Sequence, residues 1–418
     1  MVTGIRERIA RASRTAYAVG CVGLLACAVG FFTDRTQFFQ SWLTGYIFWF
    51  GMGIGCLGLL MLHHVVGGAW GNLVRPLLEA GSSTVPGLAV LFLPVLAGLA
   101  VLYPWARPEV VAADHVLQHK HLYLNGPFFL LRAAVFFGFW ALLANRLNRW
   151  SDPRDETSVR KGRNLSAPGL FFFVLTFSFA MVDWVMSIEP HWQSSIFGAM
   201  VLVGQLLGTI ALLIVALNFF SRSVNSQVPH PPLRGTFPQE GKENKSFPSP
   251  LGRGQGEGLE QFQENGDLFF EKPIHDLGNL LMAFVLIWAY LSFSQYLILW
   301  YANMPEEISW YLHRQTGGWM ILALVLAGVG FFLPFLILLD RANKRRVHRL
   351  AKVAGLILLL RAADVFWLIV PSFHPHGFHV HWLDAAAFLA IGGIWLGLWL
   401  AVVKRRGASL GSAAEVRP

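Results

Sequence analysis

Long runs of apolar residues recur along the whole chain and are separated by short polar segments. A run of roughly 20 apolar residues crosses a hydrocarbon layer about 30 Å thick as a helix, because a helix satisfies its own backbone hydrogen bonds in lipid. Trp or Tyr stands at the ends of most runs, where an amphipathic ring favours the membrane interface. We predict ten transmembrane helices, over residues 16–33, 42–63, 84–103, 126–144, 168–187, 196–220, 277–301, 316–339, 350–370 and 383–403.

The composition agrees with this pattern, since 55% of the 418 residues are hydrophobic and only 14% are charged. A soluble domain has about a quarter of its residues charged, so the composition argues against a water-soluble enzyme. The formal net charge of +9 would by itself suggest a nucleic-acid partner. However, 27 of the 33 Lys and Arg residues lie in alternate segments between the helices, and the other set of loops holds only Arg35, Arg107, Lys120 and Arg314. This bias predicts that both termini are cytoplasmic, with no nucleic-acid partner.

The N-terminus allows an alternative interpretation. Four arginines between Arg6 and Arg14 precede the first apolar run, as in a secretory signal peptide, and Leu24–Cys27 weakly resembles a lipoprotein cleavage site. We favour a retained first helix, because the distribution of positive charge is most consistent when that helix is counted.

The composition changes once, in the inner loop from about 222 to 274. The stretch Pro229–Gly266 is rich in Pro, Gly, Gln and Glu and has hardly any aliphatic residues, which predicts disorder, with a dedicated binding arm as the alternative. We therefore expect an all-α integral membrane protein with about ten transmembrane helices in two bundles. Its predicted parts are helices 1–6 (1–220), a cytoplasmic, largely disordered insertion (221–274), helices 7–10 (275–403) and a basic tail (404–418).

The chain lacks the residues that hold the common redox cofactors. Its three cysteines, Cys21, Cys27 and Cys56, all lie in apolar spans and form no Cys-x-x-Cys pair. Iron–sulfur clusters need about four thiolates, and covalent haem needs Cys-x-x-Cys-His. Only His63 and His64 of the 14 histidines lie on a span, which argues against a haem held between helices. We predict that this chain binds no cofactor and that partner subunits carry any electrons.

Four ionisable residues inside the predicted spans stand out, because each costs about 2.5–3.5 kcal/mol at a helix centre unless it is paired or functional. They are Arg132, Asp183, Arg361 and Asp364. Arg361 and Asp364 are three residues apart on one helix face, close enough to pair. One interpretation is a set of neutralised pairs that join helices. The other is a site for a quinone headgroup or a proton relay, in which an arginine donates a hydrogen bond and a carboxylate accepts a proton.

Histidines could contribute to such a site at either side of the membrane. An imidazole could come from the outer loop before helix 4, from His115, His119 or His121. On the inner side, four polar residues lie at span ends, namely His63, His64, His275 and Asp276. They could form the inner entrance of a proton path, or they could simply cap the helices at the membrane interface. A second outer loop carries His374, His376, His379 and His381, but it lacks acidic neighbours and a helical i, i+4 frame, so we predict no metal site.

Several segments resemble one family of membrane proteins. Around helix 7 they are His275–Leu281, Trp288–Tyr296 and Asn303–Ile308, and elsewhere they are Asp183–Trp192 and His119–Phe129. These segments resemble the NrfD-type, polysulfide-reductase-like membrane subunits of alternative complex III, a bacterial quinol:cytochrome c oxidoreductase. The chain length and the segment Leu62–Trp70 resemble the smaller, F-type subunit of that complex.

The resemblance implies a location in the bacterial inner membrane beside a larger NrfD-like subunit, an iron–sulfur subunit and multihaem cytochrome c subunits. In the larger sister, the quinol pocket uses a His, an Asp and an Arg, which fall by motif on His119, Asp183 and Arg361 here. The resemblance further implies a non-catalytic or accessory role, in which this subunit supports quinol oxidation by its partners, with proton conduction as an additional role. A stand-alone proton-coupled transporter and a purely structural scaffold are the alternatives.

Overall fold

A computed structural model describes residues 2–152, 155–225, 256–302 and 305–414. Every regular element in these ranges is helical. Nine helices of the described ranges are long and apolar enough to cross a membrane, and Ala69–Ser82 with Val85–Ala97, bent by 41° at their junction, adds a tenth span if the pair crosses as one. The prediction of an all-α protein with about ten membrane-spanning helices is confirmed.

The helices alternate with short connections. They are α1 (Val2–Thr33), α2 (Arg35–Val66), α3 (Ala69–Ser82), α4 (Val85–Leu91), α5 (Leu93–Ala97), α6 (Leu99–Leu102), α7 (Pro108–Ala113), α8 (His115–Lys120), α9 (Gly126–Arg149), α10 (Glu156–Trp184), α11 (Phe197–Asn225), α12 (Gly256–Ala302), α13 (Pro305–Gln315), α14 (Gly318–Val325), α15 (Leu333–Leu339), α16 (Arg341–Arg345), α17 (Val347–Phe373) and α18 (Trp382–Ala414). A π-helical segment, Leu326–Phe332, joins α14 to α15, so these three form one span.

Helix α2 lies at the centre of the molecule and is almost wholly buried. It packs with α4–α6, α9 and α10 in a first bundle. The second bundle consists of α11, α12, α14–α15 and α17, and it meets the first mainly where α11 contacts α2 and α10 and where α17 contacts α2. Helices α1 and α18 form a close pair beside α2.

Small residues bring α1 and α18 together. A Cβ atom on Gly23 would lie 2.6 Å from the backbone nitrogen of Ala390, and a Cβ on Gly393 would collide with the backbone of Gly20. Ser13 Oγ also donates a hydrogen bond to the Gly397 carbonyl at 3.0 Å. Small residues at a helix interface permit such close approach in membranes. Helix α1 is therefore packed closely against α18.

The region around the third predicted span differs from the prediction. Residues 64–83 were expected to be an inner loop, but most of this segment forms α3, which buries Trp70, Val74, Leu77 and Leu78 on one face. The span expected over 84–103 is divided into α4, α5 and α6. Pro94 stands in the first turn of α5, and because proline has no backbone N–H it interrupts the helical hydrogen bonding there.

Helix α12 begins earlier than the sequence pattern indicates. It starts at Gly256 and so includes the last eleven residues of the stretch expected to be disordered. Glu, Gln and Leu residues between 257 and 264 favour helix, which gives a physical reason for the difference. The remainder of the predicted insertion, residues 226–255, lies outside the described residues.

The side-chain contacts sort the connections into two groups, one at each end of the bundles. One end, which we call the histidine-rich end, comprises residues 33–41, 103–125, 185–196, 305–317 and 371–384. Its contacts include Lys120 Nζ to the Pro190 carbonyl and His374 Nε2 to Gln40 Oε1. The basic end comprises residues 64–83, 145–167, 271–278, 340–352 and 404–406. There Glu79 pairs with both Arg75 and Arg406. These contacts join segments that were predicted to share a side.

Candidate functional site

The first buried ion pair of the candidate site joins α9 to α10. Arg132 Nε donates to Asp183 Oδ2 at 2.7 Å and Arg132 Nη2 donates to Asp183 Oδ1 at 3.0 Å. The third nitrogen, Nη1, donates to the Tyr123 carbonyl at 2.9 Å, and the Tyr123 ring centroid lies 3.9 Å from Arg132 Cζ. A bidentate arginine–carboxylate pair is a strong, geometrically specific contact. This pair is satisfied within the protein and connects two helices.

The second buried pair lies within α17, in the second bundle. Arg361 Nη1 is 2.7 Å from Asp364 Oδ2, which confirms that these residues pair at i, i+3. The guanidinium group fits because Gly204 on α11 has no side chain, and its Cζ lies 5.2 Å from the Trp288 ring centroid. Apart from the ion pair, no nitrogen of this guanidinium group has a hydrogen-bond partner in the described part of the chain. The pair is thus only partly satisfied.

In the described residues, no hydrogen bond or ion pair joins the two pairs to each other or to His119. His119 is exposed on α8, whereas Asp183 is held by Arg132 and Arg361 contacts Asp364. The three residues that the resemblance groups together are therefore held by different neighbours, and the described structure shows no contact among them. What the structure does bring together is each arginine with one aspartate.

Beside the second pair lies a cavity of about 510 Å³. It is enclosed by α12, α13, α17 and the span that contains the π-helix, and Asp364 and Arg314 are its charged lining residues. Pockets for small organic ligands have volumes of roughly 300–1,000 Å³ and are mostly apolar, with a few polar groups that fix orientation. The aromatic part of this lining consists of Trp288, Phe293, Tyr296, Trp310, Tyr311, Phe331, Phe332 and Trp367.

Part of the cavity lining is exposed on the side of the bundle, and Gln315 is exposed where the lining reaches the histidine-rich end. Among its lining residues, Phe293, Leu324 and Phe332 are largely exposed on membrane-spanning helices. Part of the wall is the π-helical segment, which contributes Leu326, Ala327, Phe331 and Phe332. Single π-helical turns in longer helices are frequent at functional sites. The exposed apolar part of the lining therefore lies on helices that are long and apolar enough to cross a membrane.

A third charged cluster closes the cavity toward the histidine-rich end. Arg314 is fully buried; its Nη2 donates to the Leu368 carbonyl at 2.7 Å and to Ser372 Oγ at 2.8 Å. Its Nη1 donates to the Trp310 carbonyl and to Glu189 Oε1. In the sequence, Arg314 stands only as a positive loop residue, because neither it nor Glu189 lies in a predicted span. The aromatic residues Trp310 and Tyr311, one helical turn before Arg314, were the available signal for its burial.

Glu189 and Arg314 are held in their charged forms. Burial of Glu189 opposes ionisation, but the His313 hydrogen bond, the Arg314 charge and the Ser372 hydrogen bond outweigh it and lower the Glu189 pKa from 4.5 to about 2. Burial lowers the pKa of Arg314 from 12.5 to about 10, and the charge of Glu189 opposes that shift. Both groups are therefore ionised at neutral pH, and their charges cancel.

The inner-side candidates lie at the basic end. His63 and His64 stand in the last turn of α2 with ring centroids 6.1 Å apart, and His64 Nδ1 is 3.2 Å from Ser166 Oγ. His275 and Asp276 lie within α12, where His275 Nδ1 is 3.3 Å from Asn279 Nδ2. The structure thus brings His63 and His64 together and places His275 and Asp276 on a different helix.

The outer histidines are arranged as a stack of rings. The ring centroids of His374 and His379 are 4.0 Å apart, and those of His379 and His381 are 6.2 Å apart. In the part of the chain that the structure describes, no group of three or more His, Cys, Asp or Glu side chains is arranged to hold a metal ion. The cysteines lie on α1 and α2, with Cys21 exposed and Cys27 and Cys56 buried.

The cavity beside Asp364 is therefore the best-formed candidate site. A comparison of the chain with models of known protein families found no match, and a comparison with curated proteins found none either.

Proposed function

We propose that this chain is a cofactor-free membrane subunit of a respiratory quinol:cytochrome c oxidoreductase of the alternative complex III type. The proposal combines the sequence resemblance with one structural observation: the incompletely satisfied Arg361–Asp364 pair lies in a membrane helix, and Asp364 lines an apolar cavity. A membrane-embedded ionisable residue that borders open space is a functional candidate, because its burial would otherwise be unfavourable.

In this role the chain accepts and releases protons, and its partner subunits transfer the electrons. Oxidation of a quinol releases two electrons and two protons. The electrons pass to iron–sulfur clusters and haem c in the partner subunits and then to a cytochrome c or an oxidase. A carboxylate such as Asp364 can accept a proton in a site from which water is largely excluded, and the charge of Arg361 stabilises its ionised form between transfers.

The proposed setting is the inner membrane of a bacterium, with both termini cytoplasmic. The histidine-rich end then faces outward and carries the Glu189–Arg314 cluster, while the basic end, with His63 and His64, faces the cytoplasm. The proposed neighbours are the larger NrfD-like subunit, the iron–sulfur subunit and multihaem cytochrome c subunits.

The test compares two matched substitutions in the assembled complex. We expect Asp364→Asn to lower quinol:cytochrome c turnover by about a hundredfold, the lower end of the range that general acid–base groups contribute. Asp183→Asn is the control, because Asp183 is also a buried carboxylate paired with arginine but its pair is satisfied within the protein. Equal turnover and proton release in wild type and Asp364→Asn would favour a purely structural scaffold.

A stand-alone proton-coupled transporter is the second candidate, favoured by the buried charges and the two-bundle architecture. Purification of the chain alone in a transport-active form would support that candidate. Co-purification with a multihaem cytochrome c would count against it.

A further inference from the structure

We propose that the cavity between α12, α13, α17 and the π-helical span binds the headgroup of an isoprenoid quinol within this chain. This inference rests on the proposed function and deepens it, because the quinol would then bind here and not only in the larger sister subunit. It also departs from the grouping of His119, Asp183 and Arg361, since the proposed pocket contains neither His119 nor Asp183.

The first argument comes from the route of entry. The exposed lining residues Phe293, Leu324 and Phe332 open the cavity toward the lipid-facing side of the bundle. A ligand that enters there must be dissolved in the membrane. An isoprenoid tail can remain in the opening among these side chains while the headgroup enters the cavity.

The second argument comes from the polar groups inside. Asp364 and Arg314 both line the cavity, and Arg314 Nε has no hydrogen-bond partner in the described residues. Asp364 can accept a hydrogen bond from a hydroxyl group, whereas a guanidinium group can only donate. Arg314 donates a hydrogen bond to the carbonyl of Leu368, which is one helical turn from Asp364 on α17. Arg314 and Asp364 are therefore close enough for one aromatic ring to lie between them, with Arg314 as donor and Asp364 as acceptor.

The third argument excludes an anionic lipid headgroup. Each arginine near the cavity already has a counter-charge, Asp364 for Arg361 and Glu189 for Arg314. An added phosphate would meet the Asp364 carboxylate in a region of low dielectric, where like charges repel strongly. A neutral headgroup with both donors and acceptors fits this balance, and a quinol has both.

The fourth argument comes from the walls. Trp288, Trp310 and Trp367 all line the cavity, and flat aromatic walls pack well against an aromatic ring. Trp310 is itself held beneath the Arg314 guanidinium, whose Cζ lies 3.5 Å from the indole centroid. The cavity therefore has fixed aromatic faces as well as polar groups.

The experiment uses the complete complex in native membranes and a photoreactive azidoquinol, made by reducing an azidoquinone with a short isoprenoid tail immediately before illumination, because only the reduced form has the hydroxyl groups that can donate to Asp364. After illumination, labelled peptides are identified by mass spectrometry, with and without excess unlabelled quinol. We expect labelling on α12, α13 or α14 that the excess unlabelled competitor suppresses, which we call competed labelling. Asp364→Asn should reduce that labelling by about tenfold, the effect of weakening one hydrogen bond to a charged group.

Matched tryptophan substitutions on α14 test the location. Ala323 lines the cavity, so Ala323→Trp should fill it and abolish competed labelling. Ile321 lies two residues away and is exposed outside the cavity lining, so Ile321→Trp should leave the labelling unchanged.

Labelling confined to peptides around Tyr123 or Asp183, or to the sister subunit, would overturn the inference while leaving the proposed function intact. A phospholipid held in the cavity, displaced by Ala323→Trp but not by quinol, would also overturn it. Competed labelling at α12–α14 in a chain without redox partners would support the inference and contradict the proposed function.

Discussion

Asp183 and Asp364 look alike in the sequence, since each is a carboxylate inside an apolar run, but their surroundings differ. Asp183 receives two hydrogen bonds from Arg132, whereas Asp364 makes one close contact with Arg361 and borders the cavity. A satisfied pair contributes mainly to structure, and a partly satisfied pair beside open space can exchange protons or bind a ligand. We therefore expect substitution of either aspartate to lower stability, because each leaves a buried arginine without its counter-ion, and only substitution of Asp364 to lower turnover in the assembled complex as well.

Asp183→Asn should destabilise the protein by about 3–5 kcal/mol, because it leaves the charge of the buried Arg132 without its counter-ion. Thermal unfolding of the purified complex would show this as a lower Tm. The double variant Arg132→Met/Asp183→Leu should recover most of the loss, since it removes both charges. Equal Tm values for Asp183→Asn and wild type would show that the pair does not stabilise the fold.

Glu189 should give the protein a distinct acid sensitivity. Its pKa lies at about 2 in the folded protein, below the ordinary value of 4.5. The stabilisation from its charged form is therefore complete above pH 4.5 and is lost as the pH falls through about 2. Tm measured between pH 4.5 and pH 2 should fall more steeply in wild type than in Glu189→Gln, which lacks this carboxylate.

At pH 7, Glu189→Gln should melt at a lower temperature than wild type, because Arg314 is fully buried and would lose its counter-charge. Glu271→Gln is the control, since Glu271 forms a more exposed pair with Arg345. Parallel pH profiles for wild type and Glu189→Gln would contradict the assignment.

Among the elements, the α1–α18 pair gives the clearest prediction. Gly23→Ala should destabilise the protein, because the new Cβ would lie 2.6 Å from the Ala390 backbone and force the helices apart. Gly355→Ala on α17 is the matched control, since a Cβ there meets nothing within 4 Å. Alanine is the better helix former by about 0.5–1 kcal/mol, so the control should be neutral or slightly stabilising. The same Tm change for both variants would contradict the close packing of α1 on α18.

Most helices could be predicted from sequence because length and hydrophobicity determine which segments cross a membrane. The elements that could not be predicted depend on tertiary context. Helix α3 is amphipathic, with Trp70 and Val74 on its buried face, and so does not form a continuous apolar run. The π-helical turn at Leu326–Phe332 leaves no signal in hydropathy, because its side chains are as apolar as those of the adjoining helices.

The candidate site was predictable only in part, for the same reason. The Arg361–Asp364 pair follows from a spacing of three residues on one helix. The partner of Asp183 and the Glu189–Arg314 contact join segments far apart in the chain, so they depend on how the helices pack. The cavity is a property of four packed elements and has no counterpart in any single segment.

At the scale of the whole molecule, the distribution of positive charge predicts the orientation in the membrane. The basic end includes loops that contain most of the 33 Lys and Arg residues, and such loops remain in the cytoplasm. Alkaline phosphatase fused after Thr33 or after Gln315 should therefore be active, and a fluorescent protein fused after Arg406 should be fluorescent in the cytoplasm. The reverse pattern would show that the histidine-rich end faces inward.

The central claim is that this chain is assembled with redox-active partner subunits. The most direct test is affinity purification of the tagged full chain from its native membranes, followed by mass spectrometry, a haem c spectrum and a quinol:cytochrome c activity assay on the same sample. The account predicts a stable assembly that contains a second NrfD-like subunit, an iron–sulfur subunit and multihaem cytochrome c, and that oxidises quinol. A haem-free chain that purifies alone and shows no quinol oxidation would contradict it.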